Sequence, residues 1–350
     1  MPARLLPIGK LPPDILKRLL SGQASPDPSV IIGPGLGLDC AVVDPQPELL
    51  VIKSDPVTFV SDMIGWYAVQ VNANDIATTG ARPRWFTATV LLPENKATVA
   101  MAEDILDQIG RACRELGIAL VGGHTEVTHG LDKPIVAGTM FGQVARDRLI
   151  SPRNVAPGDK VLLTKSIPIE GISILAREFP QRLGQDLTPQ EIEQAAAYIV
   201  RPGISIVRDA RIALAAGRVS AMHDPTEGGL ASALWELATA CDKTIIFAPR
   251  NVPMDGLAAR ICRVFALAPL ATIASGALLL TVAKDDADKV RLALQNAGIP
   301  CAAIGEVAEG RPEVILAREE SPADIPSGGP RLLPWPAQDD LAKIFTAKDS

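Results

Sequence analysis

The chain has 350 residues with a formal net charge of −6, and hydrophobic and charged residues make up 47% and 21% of it. This is the composition of a folded chain, and the length exceeds the roughly 250–300 residues at which one core stops growing, so two domains are expected. A pI near 5.3 with scattered Lys and Arg gives no basic footprint, which argues against nucleic-acid and membrane partners.

In chain order, residues 1–29 read as an N-terminal arm with a short helix around Asp14–Leu20. Its prolines, Pro2, Pro7, Pro12 and Pro13, leave no continuous apolar stretch of the signal-peptide kind. Strands are predicted at Val30–Ile32, Cys40–Val43, Leu49–Ser54, Phe86–Leu92 and Ile135–Val144, from their Val, Ile, Thr and Phe content. Helices are predicted at Gly65–Thr79 and at Lys96–Leu116, the latter ending at Gly117. Alternating strands and helices give a first α/β domain over residues 30–150, followed by a Pro/Gly linker at Ser151–Lys160.

A second α/β domain over residues 160–310 is expected to begin with a strand at Val161–Thr164. Helices follow near Ile169–Glu178, Pro189–Tyr198, Ser205–Ala216, Leu230–Ala240 and Ala287–Ala297, with strands at Val219–Met222, Leu278–Val282 and Ala302–Val307. Val264–Ala283 carries no charge and has the length of a membrane span, but Pro269, Ser275 and Gly276 interrupt it. It reads as a helix end, a loop and a buried strand at Ala277–Val282. Residues 311–350 read as a tail. The five cysteines, Cys40, Cys113, Cys241, Cys262 and Cys301, form no CxxC pair. That indicates neither a zinc ribbon nor a dithiol redox site and suits a reducing cytoplasm.

No P-loop, Rossmann fingerprint, G-x-S-x-G or H-E-x-x-H is present. What stands out is a set of acids after glycine turns or strand ends. Asp39 lies in GPGLGLDCAVVD, Asp55 in VIKSDPVT, Asp75 in VNANDIATTGARP, Glu126 in LVGGHTEVT and Asp224 in MHDPTEGGL. Singly, Asp55 reads equally as a turn former, Asp75 as a helix-surface charge and Asp224 as a helix N-cap. Together they fit a hard-oxygen site for Mg²⁺ and nucleotide phosphates, with glycine backbone N–H groups nearby.

The ordered blocks GPGLGLDCAVVD, KSDPVTF, NANDIATTGARPRWF, GIALVGGHTEV, APGDKVLLTK, HDPTEGGL and SGALLLTV resemble those of the hydrogenase maturation protein HypE. Several are shared with thiamine-monophosphate kinase, selenophosphate synthetase and aminoimidazole ribonucleotide (AIR) synthetase, the PurM superfamily. The resemblance runs from about Gly9 to Val307, and GKLPPDILKRLL and TKSIPIEGISILARE favour the HypE branch. It implies an α/β (α+β) two-domain PurM-like fold, a homodimer whose N-terminal domains share a β-barrel, and ATP between the domains.

By motif matching it further implies that Asp39, Asp55, Asp75 and Asp224 hold Mg²⁺. Gly37, Asn72, Asn74, Gly122, Gly123, Thr125, Lys165 and His223 would join Asp39, Asp55 and Asp224 around the ATP, and Asp75, His124 and Glu126 would be catalytic. The substrate would be a small molecule or a group borne by a partner protein, its oxygen activated by phosphorylation. A thiamine-monophosphate-type kinase and a nucleotide-binding regulatory subunit are the alternatives.

Two departures bear on the substrate. HypE proteins end in a cysteine that carries the carbamoyl group, whereas this sequence ends FTAKDS and its last cysteine is Cys301. Where HypE reads GGDTK, residues 122–126 here read GGHTE. Lys165 can steady a phosphate as a point charge or simply end a strand, and Cys40 reads as a core residue.

Overall fold

The computed structural model describes residues 9–10, 15, 18–19, 27–32, 42–45, 47–58, 60–317 and 331–346. The chain divides into two units, Met1–Leu149 and Ile150–Ser350.

The first unit contains β1 (Gly9–Lys10), β2 (Val30–Ile32), β3 (Val42–Val43), β4 (Leu49–Val57), α1 (Ile64–Thr78), β5 (Arg82–Pro93), α2 (Val99–Leu116), β6 (Ala119–Thr128) and β7 (Ile135–Val144). Its main sheet runs β1-β6-β5-β7-β4, and β2 pairs with β3 apart from it. β5 and β6 are parallel, joined through α2, while β7 is antiparallel to both β5 and β4. The described strands thus form an open sheet, not a closed barrel, with β4 at one edge.

α2 forms where its apolar residues share one stripe, burying Ala102, Ile105, Leu106, Ile109, Ala112 and Cys113. The Thr98 hydroxyl accepts from Met101 N–H at its start, and Gly117 at φ 66 closes its end. α1 is different, because 12 of its residues are buried and they surround the helix. A helix buried all round lies inside a domain, and this one carries Asn72 and Asn74 inward with it.

The sequence reading takes Gly122-Gly123 as a turn ahead of Glu126, and the resemblance sets both glycines around the ATP. Instead β6 continues through both glycines to Thr128, in parallel register with Thr87–Pro93 of β5. The reason is steric: a Cβ on Gly123, at φ +153, would stand 2.1 Å from the Ala88 carbonyl oxygen. Only glycine permits that approach.

The second unit holds β8 (Lys160–Thr164), α3 (Ile169–Glu178), α4 (Pro189–Ala196), α5 (Val207–Ala216), β9 (Val219–His223), α6 (Gly229–Cys241), β10 (Thr244–Phe247), α7 (Gly256–Val264), β11 (Leu279–Val282), α8 (Ala287–Asn296), β12 (Cys301–Ala308), β13 (Glu313–Leu316) and α9 (Asp340–Thr346). Its sheet runs β13-β10-β12-β8-β11-β9. Val161, Leu163, Leu234, Phe247, Leu279 and Ile304 lie at the centre of a core built almost without aromatics.

The uncharged Val264–Ala283 run becomes the end of α7, a turn of 3-10 helix and the buried strand β11. No helix among the described residues is long and apolar enough to cross a membrane.

The described residues beyond 310, in a segment read from sequence as a tail, join this unit. β13 pairs in parallel with β10, and Leu332 bridges to Ile315. Leu333 enters the core, its carbonyl accepts from the Trp235 indole at 3.0 Å, and Trp335 packs edge-on against Trp235. Asp340 caps the Ala268 N–H at 2.7 Å, and Phe345 meets Phe179 edge-to-face.

Candidate functional site

Lys53 and Asp55 are two residues apart on β4, so the pleat sends both side chains to the same face. Asn72 and Asp75 are three apart on α1, again one face. The two periodicities meet where α1 crosses β4. The Asn72 carboxamide oxygen accepts from Asp55 N–H at 3.0 Å, and its nitrogen donates to the carbonyls of Asp55 at 3.3 Å and Ala68 at 2.8 Å. One buried side chain thereby satisfies both backbone groups of Asp55 and fixes strand to helix. Gly138, opposite Asp55 on β7, makes room for it: a Cβ there would stand 2.7 Å from the Asn72 nitrogen.

On this frame the Lys53 ammonium lies 3.0 Å from Asp55 Oδ2 and 2.9 Å from Asp75 Oδ2. All three groups are partly exposed. Burial works to lower the Lys53 pKa, but the hydrogen bonds to Asp75 and Asp55 outweigh it, and the amine is held above its ordinary value. Lys53 therefore stays charged, a monovalent cation between two carboxylates. Two aspartate oxygens converged on a positive charge are of the donor type that a hard divalent ion uses. Among the described residues no three His, Cys, Asp or Glu side chains gather as a metal site, so any further ligand comes from elsewhere.

His124, Glu126 and Thr128 alternate along β6. Glu126 lies 3.1 Å from the His124 Nε2 through one oxygen and accepts from the Thr128 hydroxyl at 2.9 Å through the other. Thr125 and the two glycines sit within the same strand. His124 pairs with Thr89 of β5, Thr89 with Ala137 of β7, and Ala137 with Pro56 of β4. Three inter-strand steps of about 4.8 Å put His124 roughly 14 Å from Pro56. The three residues expected to be catalytic thus divide, Asp75 standing with Asp55 at Lys53 and His124 with Glu126 on β6. Asn74 is fully buried on α1.

Lys165, His223 and Asp224 belong to the second unit. Lys165 corrects the sequence expectation. Its ammonium is buried at φ 56, donating to the carbonyls of Ser205 at 2.7 Å and Gly276 at 2.8 Å and pairing with Asp209 at 3.0 Å. All three N–H donors are engaged, leaving none for a phosphate. The sequence does carry the signal, since a lysine at a strand end beside an apolar run is placed for burial.

His223 Nε2 lies 2.6 Å from Glu236 of α6, and that contact holds the Glu236 carboxyl below its usual value. Asp224 is buried in the loop before α6, but the N-cap is Gly228 at φ 75.

Gly37, Asp39 and Cys40 lie outside the described residues. The other four cysteines are buried free thiols. Loss of solvent pushes Cys113 and Cys301 up to about 12 and Cys262 to about 11, and raises Cys241 as well. None is a nucleophile at neutral pH.

Known proteins share both the sequence and the fold. Residues 37–144 match the family AIR synthase related protein, N-terminal domain, and residues 156–317 match AIR synthase related protein, C-terminal domain. A putative hydrogenase expression/formation protein of Methanocaldococcus jannaschii, MJ0676, is 30% identical over 67% of this chain and 66% of its own length. Carbamoyl dehydratase HypE of Azotobacter vinelandii is 28% identical over 87% of each chain. The crystal structure of hydrogenase maturation protein HypE in complex with ATP superposes with a TM-score of 0.74 at 25% identity, covering 92% of this chain and 94% of that one.

Proposed function

This chain belongs to the AIR synthase related family in both of its domains, and from that premise we propose that it is an enzyme that binds ATP with Mg²⁺ and phosphorylates an oxygen of its substrate. The observation that carries the proposal is the convergence of Asp55 and Asp75 on one cation, with Asn72 bonded to the Asp55 backbone. The ATP complex of the HypE neighbour supports a nucleotide.

Phosphoryl transfer asks mainly for positioning and charge neutralisation, which needs no covalent nucleophile. Mg²⁺ bound to the two aspartates would neutralise phosphate oxygens. Asn72 keeps Asp55 in line, and the helix keeps Asp75 facing it. His124 and Glu126 are a hydrogen-bonded pair fit to accept and return a proton at a substrate atom.

The relative from Azotobacter vinelandii is a carbamoyl dehydratase. Here no accessible thiol occurs among the described cysteines, so the carbamoyl or amide group is one the substrate brings. A small molecule or a partner protein supplies it. We assign the active form to a cytoplasmic homodimer. β4 is an edge strand among the described residues, and its outward residues Leu50 and Ile52 are 44% and 59% exposed, a strip that a second copy would cover.

The test is ATP turnover against amides, carbamoyl compounds and thiamine monophosphate, in wild type and Asp75→Asn. Stimulation by a carbamoyl or amide compound, reduced at least about tenfold in the variant, is expected, since even residues supporting a metal ligand are worth that much. Stimulation by thiamine monophosphate alone would favour the kinase reading. Equal turnover in both proteins would remove Asp75 from the site.

A further inference from the structure

The geometry points to Lys53 as a built-in counter-ion that holds Asp55 and Asp75 ready and competes with the divalent metal for them. This inference rests on the Mg²⁺–ATP reading and extends it to how the site is held before metal arrives. Both contacts of the ammonium, 3.0 and 2.9 Å, go to the oxygens that the metal needs. The ammonium and a metal ion cannot share that position, because two cations at such range repel each other strongly in a partly desolvated site.

The backbones that carry the two carboxylates stay in place when the cation between them is lost. Asp55 is fixed through its backbone by Asn72, and Asp75 is on the same face of the same helix as Asn72. Both carboxylates therefore stay within reach of one cation, which relieves their mutual repulsion. Lys53 provides that relief at no cost in backbone movement, since it is a point charge on a flexible four-carbon stem. On metal entry the stem swings away with the backbone of β4 unchanged. The freed ammonium then lies beside the metal's own ligands, with donors to offer a phosphate oxygen. An arginine would serve less well, because its planar fork would hold both carboxylates and resist the exchange.

The experiment titrates Mn²⁺ into nucleotide-free full-length protein and counts free Mn²⁺ by electron paramagnetic resonance. Wild type, Lys53→Met and Lys53→Arg are compared, with Lys53→Gln replacing the Met variant if the latter does not fold. Mg²⁺–ATP binding to wild type is measured in parallel by calorimetry. Removing the internal cation is expected to tighten Mn²⁺ binding at least about fivefold, given the strength of charge pairs at this range. Lys53→Arg should bind Mn²⁺ no more tightly than wild type. A purely structural lysine would give the opposite sign, because its loss would loosen the site and weaken the metal. Unchanged or weaker Mn²⁺ binding in the charge-free variant, with wild type still binding Mg²⁺–ATP, overturns the role of Lys53 alone. Absence of both metal and nucleotide binding in wild type overturns the functional reading along with it.

Discussion

Glu170 is the third residue of a proline-led helix start, Pro168-Ile169-Glu170, and is buried within the second unit. Loss of solvent pushes its carboxyl up to about 7 from an ordinary 4.5; hydrogen bonding with Ser275 opposes this, and the carboxylates of Asp339 and Glu227 add to it. The folded state then keeps a proton that the unfolded chain has released. Its contribution is fully present below about pH 4.5 and is lost as pH rises through about 7, at about 1.4 kcal/mol per pH unit within that window. Urea denaturation should show wild type losing about 3 kcal/mol more than Glu170→Gln between pH 4.5 and 8. Parallel pH profiles in the two proteins would mean that Glu170 is not buried as a neutral acid.

The same scale shows what single residues reveal in a sequence. Asp55 and Asp75 stand out by their context. Lys53 does not, though it lies two positions from Asp55 on a predicted strand and so had to share its face. A search for metal ligands passes over a lysine that pairs with the same carboxylates. Lys165 looks like a phosphate contact until its three acceptors, from residues 40 to 111 positions away, come into view.

At the scale of elements, local pattern located most strands and helices because their apolar periods are regular. It misread β6 and the C-terminal segment for opposite reasons. In β6 two glycines look like a turn, but Gly123 answers the approach of Ala88 on β5, which is distant in sequence. Residues 331–346 lack a period because they dock through individual contacts. Leu333 is 6% exposed in the core, next to the Trp235–Trp335 pair. Leu333→Ala is therefore expected to cost about 2–4 kcal/mol, as for other buried leucines. Chemical denaturation followed by tryptophan emission measures this. A loss under 0.5 kcal/mol, the range of exposed positions, would return the segment to a mere tail.

For the whole molecule, matches in both domains put the family beyond the reach of chance similarity at one motif. What the structure adds for this chain is the His124–Glu126 pair on β6 and thiols that are buried wherever they are described. A carboxylate pair with its own counter-ion, on a sheet whose β4 edge is open among the described residues, is consistent with a metal–nucleotide site in an enzyme that handles an oxygen instead of a thiol-borne group. All of this depends on whether nucleotide and metal enter together. Calorimetric titration of ATP into the protein, with Mg²⁺ and again after chelation, tests that dependence most directly. The account predicts binding with Mg²⁺ and a loss of at least about tenfold in affinity without it, since two aspartates would otherwise face the triphosphate. Equal affinity after chelation would contradict it.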